Sequence, residues 1–127
     1  MSSSSSFSPK VQGSLLGLFI GDALAMPVHW YYDRAALHRD YGWVDSYQKP
    51  RNPHPNSILW RSHYSPVGPE GEILHEQAAY WGQRDVHYHQ FLMAGENTLN
   101  LQLCGLAWSL CREGYDREEY IRRYIAF

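Results

Sequence analysis

The stretch GSLLGLFIGDALAMPVHWYY, residues 13–32, decides how this chain folds. Gly13, Gly17 and Gly21 recur at every fourth position, so in a helix they lie on one face and form a ridge without side chains. A glycine in a helix interior costs about 1 kcal/mol, which favours close contact with another helix as the reason for the ridge. Pro27 predicts the end of this helix, because proline cannot continue it.

Two polar residues accompany the end of this helix. Asp22 follows the last glycine of the ridge, and His29 follows the proline. One interpretation is a buried helix that places these polar groups at one end of a core. The other is that the segment serves only close packing and has no functional role. A membrane-spanning helix is disfavoured, because the apolar run is shorter than about 18 residues and contains a carboxylate.

Composition indicates a folded domain. The 127 residues are enough for a small core, and the 10 tyrosines and 5 tryptophans argue against a disordered chain. The formal net charge is −2 and no basic stripe is present, which excludes nucleic acid as an expected partner. Cys104 and Cys111 lie seven residues apart on a predicted helix, which is too far for a disulfide bond. We therefore expect both to be reduced residues of the core, as in an intracellular protein.

The first half of the chain contains predicted helices and a long proline-rich segment. Residues 1–8 form a serine-rich tail that we expect to be disordered, and it resembles neither a signal nor a transit peptide, which predicts a cytoplasmic protein. The first helix begins near Pro9, and a short one covers Arg34–Asp40 with Asp33 as its cap. Residues 43–71 lose helical periodicity, and we expect an ordered Ω-like loop there.

The second half is predicted to be mainly helical. A short helix is expected over residues 72–81, whereas residues 86–92 alternate as in an extended segment. His87 and His89 would then share one side of this segment, as a hydrogen-bonded pair in the fold or as the edge of a metal site.

A long helix is expected to begin about Glu96 and to end before Gly114, followed by a last helix after Asp116. We predict that the long helix packs on the glycine ridge. The last helix breaks off in mid-pattern at Phe127, which predicts a truncated domain. The apolar face of the long helix comprises Leu99, Leu103, Leu106, Ala107 and Leu110.

The segment GSLLGLFIGDALAMPVHW resembles the N-terminal signature of the ADP-ribosylglycohydrolase family, approximately G-x-x-x-G-x-x-x-G-D-A-L-G-x-P-x-E. This family includes dinitrogenase reductase-activating glycohydrolases and the J1-crystallin relatives. Ala25 stands in place of a glycine of the signature, and His29 stands in place of its acidic residue. The matching residues are Gly13, Gly17, Gly21, Asp22, Ala23, Leu24 and Pro27.

The resemblance implies an all-α fold of about twice this length, with residues 9–127 as its N-terminal portion and a C-terminal half missing. It also implies a pair of divalent cations, Mg²⁺ or Mn²⁺, held by a T-D-D-T motif at the head of a helix. Here AGENTLN occupies that place, so Glu96, Asn97 and Thr98, with Asp22 and His29, become the candidate ligands, and Glu96 the candidate catalytic residue. Relative to the family pattern, Asn97 and His29 each remove a negative charge and Gly95 removes a hydroxyl, which predicts weak Mg²⁺ binding.

Two functions follow from the resemblance. The first is a divergent hydrolase acting on an ADP-ribosyl bond, either in an ADP-ribose-type small molecule or in an ADP-ribosylated protein, with no nucleic acid or membrane as partner. Without the other half, this chain alone would be inactive. The second is a non-catalytic binding or structural protein of the same fold, like the J1-crystallin relatives. In that case Glu96, Asn97 and Thr98 are an ordinary helix start with Asn97 as cap.

Overall fold

The computed structural model of the chain describes residues 7–63, 65, 68 and 75–126. This part of the chain contains four α-helices and no strand, which confirms the predicted all-α fold. Most of the predicted disordered tail, and the first residues of the helix predicted over 72–81, lie outside the described residues. The helices are α1 Pro9–Ala25, α2 Arg34–Tyr41, α3 Leu99–Glu113 and α4 Arg117–Ala126, with short 3₁₀ turns at Met26–Val28, Leu59–Arg61 and His75–Tyr80.

Helix α1 has the predicted bounds. The Ser8 hydroxyl accepts a hydrogen bond from the Val11 amide at 3.4 Å, and Pro9 occupies the first turn, where its missing N–H costs nothing. The helix ends at Ala25, and the 3₁₀ turn around Pro27 leads the chain away, as the proline predicts.

The glycine ridge carries no helix contact, so that prediction is wrong. A Cβ atom built on Gly13, Gly17 or Gly21 would have no atom within 4 Å among the described residues. Helix α3 instead contacts a different side of α1, where the Phe19 ring lies 3.7 Å from the Cβ position of Gly105. The physical reason is that an aromatic ring offers apolar area to bury, and a bare ridge does not.

This arrangement makes a testable prediction at the ridge. We expect Gly17→Ala to stabilise the chain by up to about 1 kcal/mol, because alanine is the better helix former and its methyl group meets no neighbour. Thermal unfolding followed by circular dichroism measures the change. A loss of stability in Gly17→Ala would show that the ridge is in contact after all.

Several apolar side chains of α1 remain exposed. Leu16 is 62% exposed and Leu18 is 59% exposed. In the described part of the chain, residues Pro9–Val28 reach the length and mean hydropathy of a membrane-spanning helix, a test that core helices and signal sequences also pass. Length and composition therefore do not decide against a membrane helix, and Asp22 within the stretch is the remaining argument.

Helix α2 and the loop after it follow the sequence expectation. Asp33 caps α2 by accepting from the amides of Ala35 and Ala36 at 2.8 and 3.2 Å, and Gly42 ends it with a positive φ of 67°. The following residues up to 63 form no α-helix. Four of their residues are buried as a packed loop requires, namely Pro50, His54, Ser57 and Leu59.

The segment of residues 86–92 is not extended, which corrects the prediction. The amide of Gln90 donates to the carbonyl of His87 at 3.1 Å, and the amide of Leu92 donates to the carbonyl of His89 at 2.9 Å, so the chain turns twice. The alternating pattern led to a wrong prediction because the rings of His87 and His89 are positioned by hydrogen bonds to the turn after α1, and not by a β-sheet.

Helix α3 begins at Leu99, three residues later than predicted. Its predicted apolar face is buried at one end only, since Leu110 is 2% exposed and Leu99 is 56% exposed. Cys104 and Cys111 are free but exposed, so their assignment to the core is wrong. Gly114 ends the helix, as predicted.

Helix α4 has the predicted start. The carboxylate of Asp116 accepts hydrogen bonds from the amides of Glu118 and Glu119 at 2.8 and 3.0 Å. None of its described side chains is buried, although Tyr120 stacks near Tyr124 with ring centres 6.1 Å apart.

Candidate functional site

The end of α1 meets the start of α3 through the side chain of Asp22. One carboxylate oxygen accepts from the Thr98 amide at 2.7 Å and from the Asn97 side-chain amide at 3.1 Å. The other accepts from the Thr98 hydroxyl at 2.8 Å. Helix starts leave backbone N–H groups unpaired and carry partial positive charge, so a carboxylate from another helix is well placed here.

Asn97 connects the same two helices through a second set of bonds. Its side-chain amide donates to the Phe19 carbonyl of α1 at 2.7 Å, and its own carbonyl accepts from Gln102 at 2.8 Å. The helix-start interpretation is therefore right in kind, but the capping carboxylate comes from Asp22 and not from the side chain of Asn97.

The hydrogen bonds set the charge state of Asp22. Partial burial alone would raise the pKa of its carboxyl, but the bonds from Thr98 and Asn97, together with the nearby His29, outweigh it and hold the pKa below the ordinary value of 3.8. Asp22 is therefore ionised at neutral pH.

Glu96 does not join this group. It is exposed, and its carboxylate turns back to accept a hydrogen bond from the Met93 amide at 2.6 Å. The preceding Gly95 has a φ of 87°, and its Cβ position lies 3.6 Å from the Tyr47 ring, so this turn requires a glycine.

His29 lies at the end of the turn that follows α1. Its Nδ1 lies 3.0 Å from Nε2 of His89, so one ring donates and the other accepts. The next residue, Trp30, has a φ of 62°, an uncommon backbone conformation for a bulky residue. Its ring packs against Tyr88 and His89, with centres 5.2 and 5.4 Å away.

Two fully buried histidines hold this turn in place. Nε2 of His54 donates to the His29 carbonyl at 2.8 Å, and Nε2 of His87 donates to the Pro27 carbonyl at 3.0 Å. In each ring Nδ1 accepts a backbone amide two residues further on, from Asn56 at 3.1 Å and from His89 at 3.0 Å. Both rings are therefore neutral and protonated on Nε2, since Nδ1 must keep its lone pair.

The pKa values agree with this assignment. Burial lowers the pKa of His87 to about 3, aided by His54, and lowers that of His89 to about 4, aided by His29. Burial also lowers the pKa of His54 and of His29, although Asp22 opposes the shift at His29. At neutral pH these four rings are uncharged, and the charge near His29 is that of Asp22.

The comparison with protein families agrees with the two motifs. A model described as ADP-ribosylglycohydrolase matches residues 3–127. The chain belongs to the ADP-ribosylglycohydrolase family. No curated protein and no solved structure gives a significant match.

The five residues predicted as cation ligands are not arranged as a metal site in this structure. Both oxygens of Asp22 are engaged by hydrogen-bond donors, Asn97 turns its N–H₂ group toward them, and Glu96 points to the Met93 amide. Among the residues that the structure describes, no three His, Cys, Asp or Glu side chains are grouped to hold a metal ion. A cation at a helix start needs free carboxylate oxygens, and here they are used.

Sequence reasoning found part of this site and missed part. Of the predicted residues, Asp22, Asn97 and Thr98 are brought together, His29 lies close enough to influence Asp22, and Glu96 stands apart. His54 was missed because its ring binds backbone groups, the His29 carbonyl 25 residues earlier and the nearby Asn56 amide, and its position between two prolines gives only a weak signal.

The largest cavity we describe lies away from Asp22. It has a volume of about 600 Å³ and is lined by two acidic and two basic side chains, together with Tyr31 and neighbouring loop residues. The acidic and basic side chains are Asp40, Asp85, Arg39 and Arg51.

Proposed function

We propose that this chain provides one wall of a site where an ADP-ribosyl bond is hydrolysed, as a divergent member of its family. The supporting observation is that Asp22 of the first family motif and Asn97 and Thr98 of the second meet through three hydrogen bonds. Residues 75 and more positions apart are brought to one place by the fold, and each comes from a segment that carries the family resemblance.

In this proposal the ionised Asp22 and the Asn97 amide form the polar floor of the site. Glu96 is the exposed carboxylate that precedes Asn97 in sequence, and its exposed side chain is able to rotate away from the Met93 amide. Released from that hydrogen bond, Glu96 would act as general base on the water that attacks the anomeric carbon, while the bond from that carbon to the rest of the conjugate breaks and the leaving group takes a proton from solvent. His29, neutral at pH 7, offers a second proton acceptor.

A divalent cation stays part of the proposal only as a weakly held group. The family's Mg²⁺ or Mn²⁺ would need Glu96 and Asn97 to turn their oxygens toward Asp22, and we derive no step of the reaction from it. The substrate class is an ADP-ribose conjugate, either a small molecule or a modified protein.

One observation favours the non-catalytic alternative. The carboxylate of Asp22 accepts three hydrogen bonds in joining two helices, and that of Glu96 accepts one in closing a turn. Both roles are structural, as in a descendant of the fold that binds or supports without reacting.

The test is release of free ADP-ribose from a small conjugate and from an ADP-ribosylated protein. We expect the longest natural protein that contains this segment to release it, and Glu96→Gln to lower kcat by about 100-fold or more. Glu118→Gln is the matched control, because Glu118 is also exposed and lies on α4. Equal rates for Glu96→Gln and the unaltered protein would remove Glu96 from the mechanism, and no release from either substrate would favour the alternative.

A further inference from the structure

Two arginines share one tryptophan on the surface of the loop region. The guanidinium carbon of Arg61 lies 4.6 Å from the centre of the Trp60 ring, and that of Arg84 lies 4.0 Å from it. These distances suit cation–π contacts. The arrangement brings two positive charges from different segments onto one indole.

Among the residues that the structure describes, no carboxylate forms an ion pair with either arginine. The ion pairs found among the described residues are made by Arg39, Arg122 and Arg123, and neither Arg61 nor Arg84 takes part in one. Asp85, next to Arg84 in sequence, has a φ of 61° and lines the other, larger cavity. Two cations held close together repel each other unless an anion lies between them or beside them.

A cavity opens beside this pair. It has a volume of about 220 Å³, and its lining includes both arginines, Trp60, Tyr32 and Asn56 but no acidic residue. It is smaller than the cavities that usually enclose a whole drug-sized ligand, so it suits a small anionic group. Tyr32 and Asn56 add side chains that can donate hydrogen bonds.

We propose that Arg61 and Arg84 bind a phosphoryl group in this cavity, with the Trp60 ring holding the two guanidinium groups in place. A guanidinium that lies on an indole keeps its N–H groups at its edge, where they can bind two oxygens of a phosphate at once. This site contains none of the residues placed in the proposed hydrolytic site, so it does not depend on that function. The anion is either free phosphate or the phosphate of a larger molecule such as a nucleotide.

The proposal is tested by titrating the chain with inorganic phosphate and, separately, with adenosine diphosphate. Binding is followed by the NMR signals of the arginine side chains at constant ionic strength, with chloride as the reference anion. We expect both ligands to shift the signals of Arg61 and Arg84, and Arg84→Gln to weaken binding about tenfold or more. Tighter binding of the diphosphate than of phosphate would identify a nucleotide as the source of the phosphoryl group, and equal binding would identify free phosphate.

Two further variants sharpen the test. Arg112→Gln is the matched control, because Arg112 is an exposed arginine on α3, and it should bind phosphate as the unaltered chain does. Arg84→Lys keeps the charge but loses the planar fork, so it should weaken binding nearly as much as Arg84→Gln. The proposal is overturned if phosphate shifts no more than chloride does, or if Arg112→Gln and Arg84→Gln weaken binding equally.

Discussion

Acidification is expected to destabilise this chain steeply between pH 6.5 and pH 3. His54 and His87 are fully buried, and each uses Nδ1 to accept a backbone amide. Protonation of Nδ1 would break that bond and place a charge in the core. The unfolded chain binds these protons at an ordinary pKa of about 6.5, whereas burial in the folded chain lowers the pKa of His54 and lowers that of His87 to about 3.

The sign and size of the effect follow from this difference. Because the folded pKa of His87 is depressed to about 3, its contribution to stability is complete above pH 6.5 and is lost as the pH falls toward 3. Each such proton gives a slope of about 1.4 kcal/mol per pH unit, so His87 alone accounts for roughly 5 kcal/mol at most. The charges near His54 are those of Asp40 and Asp85, which oppose its shift without cancelling it.

Urea unfolding at a series of pH values measures this slope. His87→Gln should be less stable than the unaltered chain at pH 7, since it loses the bond to Pro27, and should show a shallower dependence on pH. His38→Gln is the control, because His38 is exposed on α2, and it should keep the full slope. A stability that does not change between pH 6.5 and pH 4 would contradict the neutral, buried state of the two rings.

Loss of the Asp22 carboxylate is the second large effect that we expect. Asp22→Ala removes the acceptor of three hydrogen bonds and leaves the amide and hydroxyl of Thr98, which is 4% exposed, without partners. Buried donors that lose their partner cost about 1–3 kcal/mol each, so we expect a destabilisation of about 2–4 kcal/mol.

Two other Asp→Ala variants serve as controls, because they show how much stability is lost when a carboxylate that does not join α1 to α3 is removed. Asp116→Ala removes a cap within one segment and should cost about 1 kcal/mol. Asp45→Ala changes an exposed residue with no bond among the described residues and should stay within about 0.5 kcal/mol of the unaltered chain. If Asp22→Ala costs no more than Asp116→Ala, the carboxylate does not join α1 to α3.

Much of the local structure could be predicted from the sequence, because its causes lie within a few residues. Pro27 ends α1, Asp33 and Asp116 cap α2 and α4, and Gly114 ends α3. Each of these is a backbone or hydrogen-bond effect that acts over one helical turn. The all-α class follows from them and from the family resemblance.

The contacts between segments could not be predicted in the same way. The three glycines of α1 suggested a helix contact, but the contact uses Phe19 and Gly105, because spacing alone does not say which side of a helix has the larger area to bury. The start of α3 was predicted three residues too early for a related reason. Its N-cap residue is Thr98, whose amide and hydroxyl donate to Asp22, and Asp22 is 76 residues away in sequence and outside any local pattern.

The candidate site shows the same division. The resemblance brought Asp22, Asn97 and Thr98 to attention, and the fold does place them together. The direction of the Glu96 side chain depends on the amide of Met93 and on a turn with positive φ at Gly95, and neither is encoded in a motif match.

The carbonyls of Pro27 and His29 receive hydrogen bonds from rings 60 and 25 residues further along the chain. During synthesis, therefore, α1 can form as soon as its own residues are available, but the bend that follows it gains its last anchors only after residues 87 and 89 have left the ribosome. Formation of this region therefore depends on long-range contacts, which form slowly. A ribosome paused before these residues would carry a chain in which α1 is formed but the bend after it does not yet have all of its contacts.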